Sequence, residues 1–186
     1  MDTDCGGVMK KVLIISASLR PSSNSDVLAQ AFMKGAQEAG NEVVYASLSG
    51  KKIDYCIGCM ACHKTGTCVL KDDAVELAEK MKTSDVIVFA TPVYFFGMSG
   101  KLKTLLDRTN PLYSYPYDFR DIYILCTAAE NEEATAAGTV DGIRGWIDCF
   151  VDAQLKGEVF AGGVSGPGEV NGHPAVAQAY EMGKKV

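Results

Sequence analysis

The chain has 186 residues, 47% hydrophobic and 22% charged, with 18 Lys and Arg against 23 Asp and Glu for a net charge of −5. That length builds one substantial core without requiring a second, and the acidic balance removes the basic face that nucleic acid or an anionic membrane needs. No apolar run approaches the roughly 18 residues that span a bilayer.

Residues 1–9 read as a flexible tail ahead of a single domain over 10–186. Its acidic start, Met1-Asp2-Thr3-Asp4, is unlike a secretory signal, so a cytoplasmic protein with reduced thiols is expected. Seven cysteines in that setting suit metal or redox use better than a disulfide framework.

Residues 10–18 form a short apolar run ending in small polar residues, the pattern of a parallel strand buried on both faces. The hydroxyl-rich loop 18–25 follows. Asn24 or Ser25 is placed to cap a helix whose buried face carries Val27, Leu28, Ala31, Phe32 and Gly35. Gly40-Asn41 ends that helix, and 42–48 reads as the second strand. About twenty residues without periodicity come next, including a cysteine-rich loop over 54–70; connections of that length are usually functional. A helix restarts at Asp72-Asp73, with Asp73 and Glu76 in capping-box spacing. The third strand is 85–90, followed by an aromatic loop over 91–100 and a helix over 101–108. A loop over 110–119 leads to the fourth strand at 121–126. A glycine-interrupted helical region near 131–153, a fifth strand at 158–161, a Gly-rich segment over 162–172 and a last helix complete the chain.

This alternation predicts one doubly wound α/β/α sandwich with helices on both faces of a parallel sheet. Ligands of such sheets bind at the carboxyl ends of the strands. After strand one, Ser18, Arg20, Ser23, Asn24 and Ser25 run into a helix N-terminus, which suits a phosphate; the plainer role for Asn24 and Ser25 is capping. After strand three, Pro92, Val93, Tyr94 and Phe95 can lie along a flat ring, or serve as core or subunit contact. After strand four, Thr127, Ala128, Ala129 and Glu130 can close over it. The glycine signatures of dinucleotide and P-loop sites are absent. A mononucleotide is therefore favoured, with FMN in a five-stranded flavodoxin-like sheet of order 2-1-3-4-5.

Three stretches make a resemblance specific: Ser18 to Ser25; Cys56-x-Gly58-Cys59-x2-Cys62-x3-Gly66-x-Cys68 followed by Asp72-Asp73; and Pro92-x-Tyr94 followed by Ser99-Gly100-x-Leu102-Lys103 and Asp107-Arg108. In these the chain resembles the flavodoxin-like NAD(P)H-dependent FMN reductase superfamily and, within it, the iron–sulfur flavoproteins. The resemblance implies that 18–25 holds the FMN phosphate and that 92–95 and 127–131 hold the ribityl chain and isoalloxazine. It also implies that the four cysteines hold a 4Fe–4S cluster near the flavin of a neighbouring subunit, in a homodimer or homotetramer.

The spacing C-x2-C-x2-C-x5-C is of ferredoxin type, and Cys56, Cys59, Cys62 and Cys68 are the candidate metal ligands. Zinc usually takes well-separated C-x2-C pairs; a redox disulfide or no metal at all is also compatible with the run. Glycines at 58 and 66 allow positive φ around the centre. Cys126 and Cys149 are expected in the core, His63 at the surface, and Lys103, Asp107 and Arg108 in structural ion pairs.

Three functions follow. The first is a flavin oxidoreductase, with NAD(P)H as donor and a small molecule as acceptor. The second is an electron carrier fed by a ferredoxin-type partner through the cluster. The third is a module in which zinc or a disulfide shapes the loop. No side chain stands out as a catalytic acid or base, in keeping with chemistry centred on a cofactor.

Overall fold

The computed structural model describes residues 8–186. Of the tail expected over 1–9, residues 1–7, and Cys5 with them, lie outside the described residues.

Five parallel strands form the sheet: β1 (Lys11–Ser16), β2 (Glu42–Ser47), β3 (Val86–Tyr94), β5 (Asp121–Thr127) and β6 (Gln154–Ala161). Their order is β2-β1-β3-β5-β6, and a two-residue strand, β4 (Gly97–Met98), pairs antiparallel with the end of β3. Counting the parallel strands alone, this is the expected order 2-1-3-4-5. The central strands β1, β3 and β5 are buried on both faces, which is why they are continuous apolar runs.

Among the described residues seven α-helices flank the sheet: α1 (Asn24–Glu38), α2 (Cys62–Thr65), α3 (Asp73–Lys82), α4 (Gly100–Asp107), α5 (Asn110–Tyr113), α6 (Ala137–Ile147) and α7 (Pro174–Gly183). Because side chains alternate along a strand, β1 sends Val12 and Ile14 to the face covered by α1 and α7. It sends Leu13 and Ile15 to the face covered by α3, α4 and α6. Among the described residues no helix is long and apolar enough to cross a membrane.

Several boundaries differ from the sequence expectation. Ser23, not Asn24 or Ser25, caps α1: its hydroxyl accepts from the Asp26 N–H at 3.2 Å. Asp72 caps α3, accepting from the Ala74 N–H at 3.1 Å. The Asp73–Glu76 box does not form, because Asp73 turns back to accept from the Lys52 N–H at 2.6 Å and Glu76 pairs with Lys80. β3 runs on through Pro92 to Tyr94. β6 begins four residues early, since its first half alternates exposed and partly buried positions at the sheet edge and the polar Gln154 and Lys156 hide it. The region 131–153 is helical only over 133–147, beginning as a 3₁₀ turn. Cys149 lies past the end of α6 and is exposed, so it is not a core residue. Cys126 is buried as expected, its thiol pushed up to about 12 by burial and then by Glu158, which leaves it inert.

Helices α1 and α7 approach closely through two glycines. A β-carbon on Gly183 would overlap the Phe32 carbonyl, and one on Gly35 would overlap the Tyr180 carbonyl. Gly183→Ala is therefore expected to destabilise by about 1–3 kcal/mol, the usual cost of overpacking. Urea denaturation measures this; an unchanged midpoint would show that the helix pair slides freely.

Candidate functional site

Eleven of the thirteen residues singled out for a cofactor line one pocket at the carboxyl ends of β1, β3 and β5. They are Ser18, Arg20, Ser23, Asn24, Ser25, Pro92, Val93, Tyr94, Thr127, Ala128 and Ala129, around about 580 Å³ of space. Ser23, Asn24 and Ser25 are buried beneath it, while Arg20 is exposed at its rim. The first intrahelical bond of α1 runs from the Val27 N–H to the Ser23 carbonyl. The N–H groups of Asn24 and Ser25 precede it and have no partner within the helix. They provide the donors and the positive dipole end that an anion requires.

The Asn24 side chain is committed elsewhere. Its Nδ2 donates to the carbonyls of Val164 (3.3 Å) and Gly166 (2.9 Å), and its Oδ1 accepts from the Val170 N–H at 3.2 Å. These bonds draw the segment after β6 against the start of α1 and make Val164 and Ser165 part of the lining. Sequence reasoning missed those two. The available signal was Gly162-Gly163: a β-carbon at 162 would stand 2.7 Å from both the Glu130 carbonyl and Asn131 Cα, so the loops after β5 and β6 touch there.

Phe95 and Glu130, the remaining two expectations, are not among the lining residues. Phe95 is at the tip of the β3–β4 hairpin and is 103% exposed, and Glu130 points out from its loop. The hairpin pairs Val93 with Met98 and Tyr94 with Gly97, leaving a two-residue turn, Phe95-Phe96, at φ 50° and 62°. Such turns favour Asn-Gly, and each bulky residue in left-handed backbone costs about 1–2 kcal/mol. The turn is braced by α6, whose Gly138 leaves room for the Phe96 carbonyl and whose Gly142 accommodates Met98. The glycines that blurred α6 in the sequence are thus the seat of the hairpin. At its base, Ser99 accepts from the Leu102 N–H, capping α4, and donates to the Ala17 carbonyl at 3.2 Å, tying the hairpin to the first loop.

A second pocket lies between the cysteine loop and the helices α4 and α5. Cys56, Cys59, Cys62 and Cys68 all line it, with Ile57, Met60, Val69, Leu70 and Pro111 supplying an apolar shell around a narrow cavity of about 20 Å³. Gly58 and Gly66 take positive φ (64° and 71°), as expected, and Met60 joins them at 56°. Cys62 is buried, Cys68 partly so, and Cys56 and Cys59 are exposed; all four thiols are free. Burial raises the Cys62 thiol, as do the charges of Cys68, Cys59 and Cys56, so the four sulfurs sense one another. Among the described residues no three His, Cys, Asp or Glu side chains stand close enough to share one ion. His63 is only half-exposed, its Nε2 is buried without a partner and its ring leans on Tyr113, so it is not a plain surface residue.

Arg108 holds this loop. Its Nη1 donates to the Asp54 carbonyl (2.8 Å) and Asp72 Oδ2 (2.6 Å), and its Nη2 to the Leu70 carbonyl (3.2 Å) and Asp72 Oδ1 (2.9 Å). One side chain thereby grips both ends of the segment 54–72. Burial alone would push Asp72 up. The Arg108 hydrogen bonds, the Asp54 and Ala74 N–H groups and the Arg108 charge together hold it below the usual carboxylate range. Lys103 and Asp107 form an exposed i,i+4 pair at 2.6 Å, a structural contact, as expected.

The match with known proteins follows this geometry. The family of NADPH-dependent FMN reductases matches residues 10–161. An iron–sulfur flavoprotein of Methanocaldococcus jannaschii is 42% identical over 102 residues, 55% of this chain and 53% of the relative, so the alignment spans about half of each. An iron–sulfur flavoprotein of Archaeoglobus fulgidus is 30% identical over 180 residues, 95% of this chain and 78% of the relative. In fold the chain is similar to an NAD(P)H:quinone oxidoreductase from Methanothermobacter marburgensis, with TM-score 0.73 and 22% identity over 95% of this chain and 96% of that one. An FMN-dependent NADH-azoreductase from Bacillus anthracis, solved with FMN, gives TM-score 0.69 and 17% identity over 95% and 99% of the two chains. With a match that runs from the start of β1 to the end of β6, the chain belongs to the NADPH-dependent FMN reductase family.

Proposed function

We propose that the strand-end pocket holds FMN and that the thiols of Cys56, Cys59, Cys62 and Cys68 hold a 4Fe–4S cluster, making the protein an electron-transferring flavin oxidoreductase. The observation that carries the cluster reading is that all four cysteines line one apolar pocket. A single zinc draws its sulfurs to about 2.3 Å from itself, whereas a cubane is wider. The names of the archaeal relatives support the same assignment.

FMN supplies hydride and single-electron chemistry, and the cluster supplies single-electron transfer. The chain's own contribution is placement. The α1 N-terminus, with Ser18, Ser23 and Ser25 around it, binds the phosphate, and Arg20 adds charge at the rim. Pro92, Val93 and Tyr94 lie along the flat ring system, and Thr127 to Ala129 close its other side. Ile57, Met60, Val69 and Leu70 place apolar surface beside the thiols. NAD(P)H is the family's donor; a ferredoxin-type protein is the alternative donor, entering through the cysteine loop.

The exposed apolar residues Tyr55, Ile57, Met60, Val69 and Tyr113 around one pocket, and Tyr94, Phe95 and Phe96 beside the other, support assembly into a homodimer or homotetramer. The two pockets share no lining residue, which agrees with a cluster that meets the flavin of a neighbouring subunit.

Protein purified without oxygen tests the reading through flavin, iron, zinc and acid-labile sulfide per subunit. The expected result is about one flavin, four irons and four sulfides, as a 4Fe–4S cluster requires. Zinc or no metal with full flavin would remove the cluster and leave an FMN reductase with a thiol-rich loop.

A further inference from the structure

A guanidinium has five N–H donors. In Arg108 the four on Nη1 and Nη2 are spent on Asp54, Leu70 and Asp72, and only Nε–H is left. Nε is buried without a partner, in a side chain with no exposed surface. Arg108 lines the cysteine pocket alongside all four thiols. Cys68 lines a second pocket with Arg108 as well, and although burial opposes the guanidinium's charge, Asp72 and Cys68 favour it. A buried N–H with no acceptor is expensive, and one that faces a sulfur-lined pocket gains its acceptor when that sulfur becomes a ligand.

We propose that Arg108 is a positioning residue for the group held by the cysteines: it fixes both ends of the loop through its fork and donates its remaining N–H to the Cys68 sulfur. The inference rests on the iron–sulfur reading above. Hydrogen bonds to the sulfurs are among the factors that set a cluster's potential. The donor withdraws negative charge and favours the reduced state. Arg108 thus links the architecture of the loop to the electron affinity of the bound group, although it contributes no ligand.

The test compares the full wild-type chain, purified without oxygen, with Arg108→Lys and Asp72→Asn. Lysine keeps a positive charge beside Asp72 but has no N–H where Nε stands. Asparagine weakens the fork but leaves Nε in place. In Arg108→Lys, iron and sulfide per flavin stay near wild type. The one-electron reduction equilibrium moves about tenfold toward the oxidised state, a fall of ~59 mV. In Asp72→Asn, amide hydrogen exchange over 54–72 speeds up about tenfold while β1, β3 and β5 are unaffected, and the potential moves less than in Arg108→Lys. An unchanged potential in Arg108→Lys overturns the donor role. Exchange that rises equally across the sheet in Asp72→Asn overturns the latch. If wild type carries flavin but no iron, the iron–sulfur reading fails and the donor role goes with it; loop exchange then decides the latch alone, and an unchanged rate ends it.

Discussion

Replacing Asp72 with alanine is expected to lower stability by about 3–5 kcal/mol, the range for stranding one partner of a buried ion pair. In a chain of this length that corresponds to a fall of roughly 6–20 °C in the melting midpoint. The size follows from burial: the Arg108 side chain is fully enclosed, and without the carboxylate its charge keeps only the carbonyls of Asp54 and Leu70. The α3 cap is lost in the same step. Lys103→Ala, which breaks the exposed pair with Asp107, costs about 0.5 kcal/mol or less by comparison. The difference between the two carboxylate environments also has a pH signature. Asp72 is held below its ordinary value, so its contribution is complete above the unfolded value near 3.9. It is lost as pH falls through the lower folded value. The gap between wild type and Asp72→Ala is therefore constant from pH 7 to about pH 4 and narrows only below that. Chemical denaturation across that range checks both statements, and a gap under about 1 kcal/mol at pH 7 would contradict the clamp.

Asn24→Ala strikes the other pocket. It leaves the Val164 carbonyl and the Val170 N–H without a partner and the Gly166 carbonyl with the Glu169 N–H alone. With about 1–3 kcal/mol for each buried group left unsatisfied, a total loss of roughly 3 kcal/mol or more is expected. The segment carrying Val164 and Ser165 would then no longer be held against the α1 N-terminus, and FMN affinity is expected to fall at least tenfold, about 1.4 kcal/mol. Asn24→Asp separates the two effects. The aspartate still accepts from Val170, but it faces two carbonyls and sets a negative charge where a phosphate would sit. Its FMN affinity should suffer more than its stability. Fluorescence titration with FMN, beside urea denaturation, measures both. Wild-type FMN affinity in Asn24→Ala would mean that the flavin binds elsewhere.

The frame was legible because its signals are local and repeated. β1, β3 and β5 are apolar runs on account of burial on both faces, and the loops after them are marked by residue chemistry: hydroxyls after β1, aromatics after β3. The sequence pattern is weaker where one competing contact decides the outcome. Ser23 rather than Asn24 caps the helix because the Asn24 amide has three backbone partners 140 to 146 residues away. The first half of β6 is hidden by Gln154 and Lys156, exposed polar residues on an edge strand. The turn at Phe95-Phe96 contradicts turn propensity, and only the brace from α6 makes it possible. Arg108 read correctly as structural, but what it grips could not be seen, since its bond to Asp54 closes a separation of 54 residues with no periodic trace.

The separate linings of the two pockets have a consequence for how the protein is assembled and how it fails. The cysteine loop is a graft between β2 and α3, gripped at its two ends, while the strand-end pocket is built by the sheet itself. The strand-end pocket draws no residue from the cysteine loop. Oxidative damage at the thiols leaves the walls of the other pocket standing. A change confined to the cysteine loop and one confined to the strand ends are thus separable in this chain.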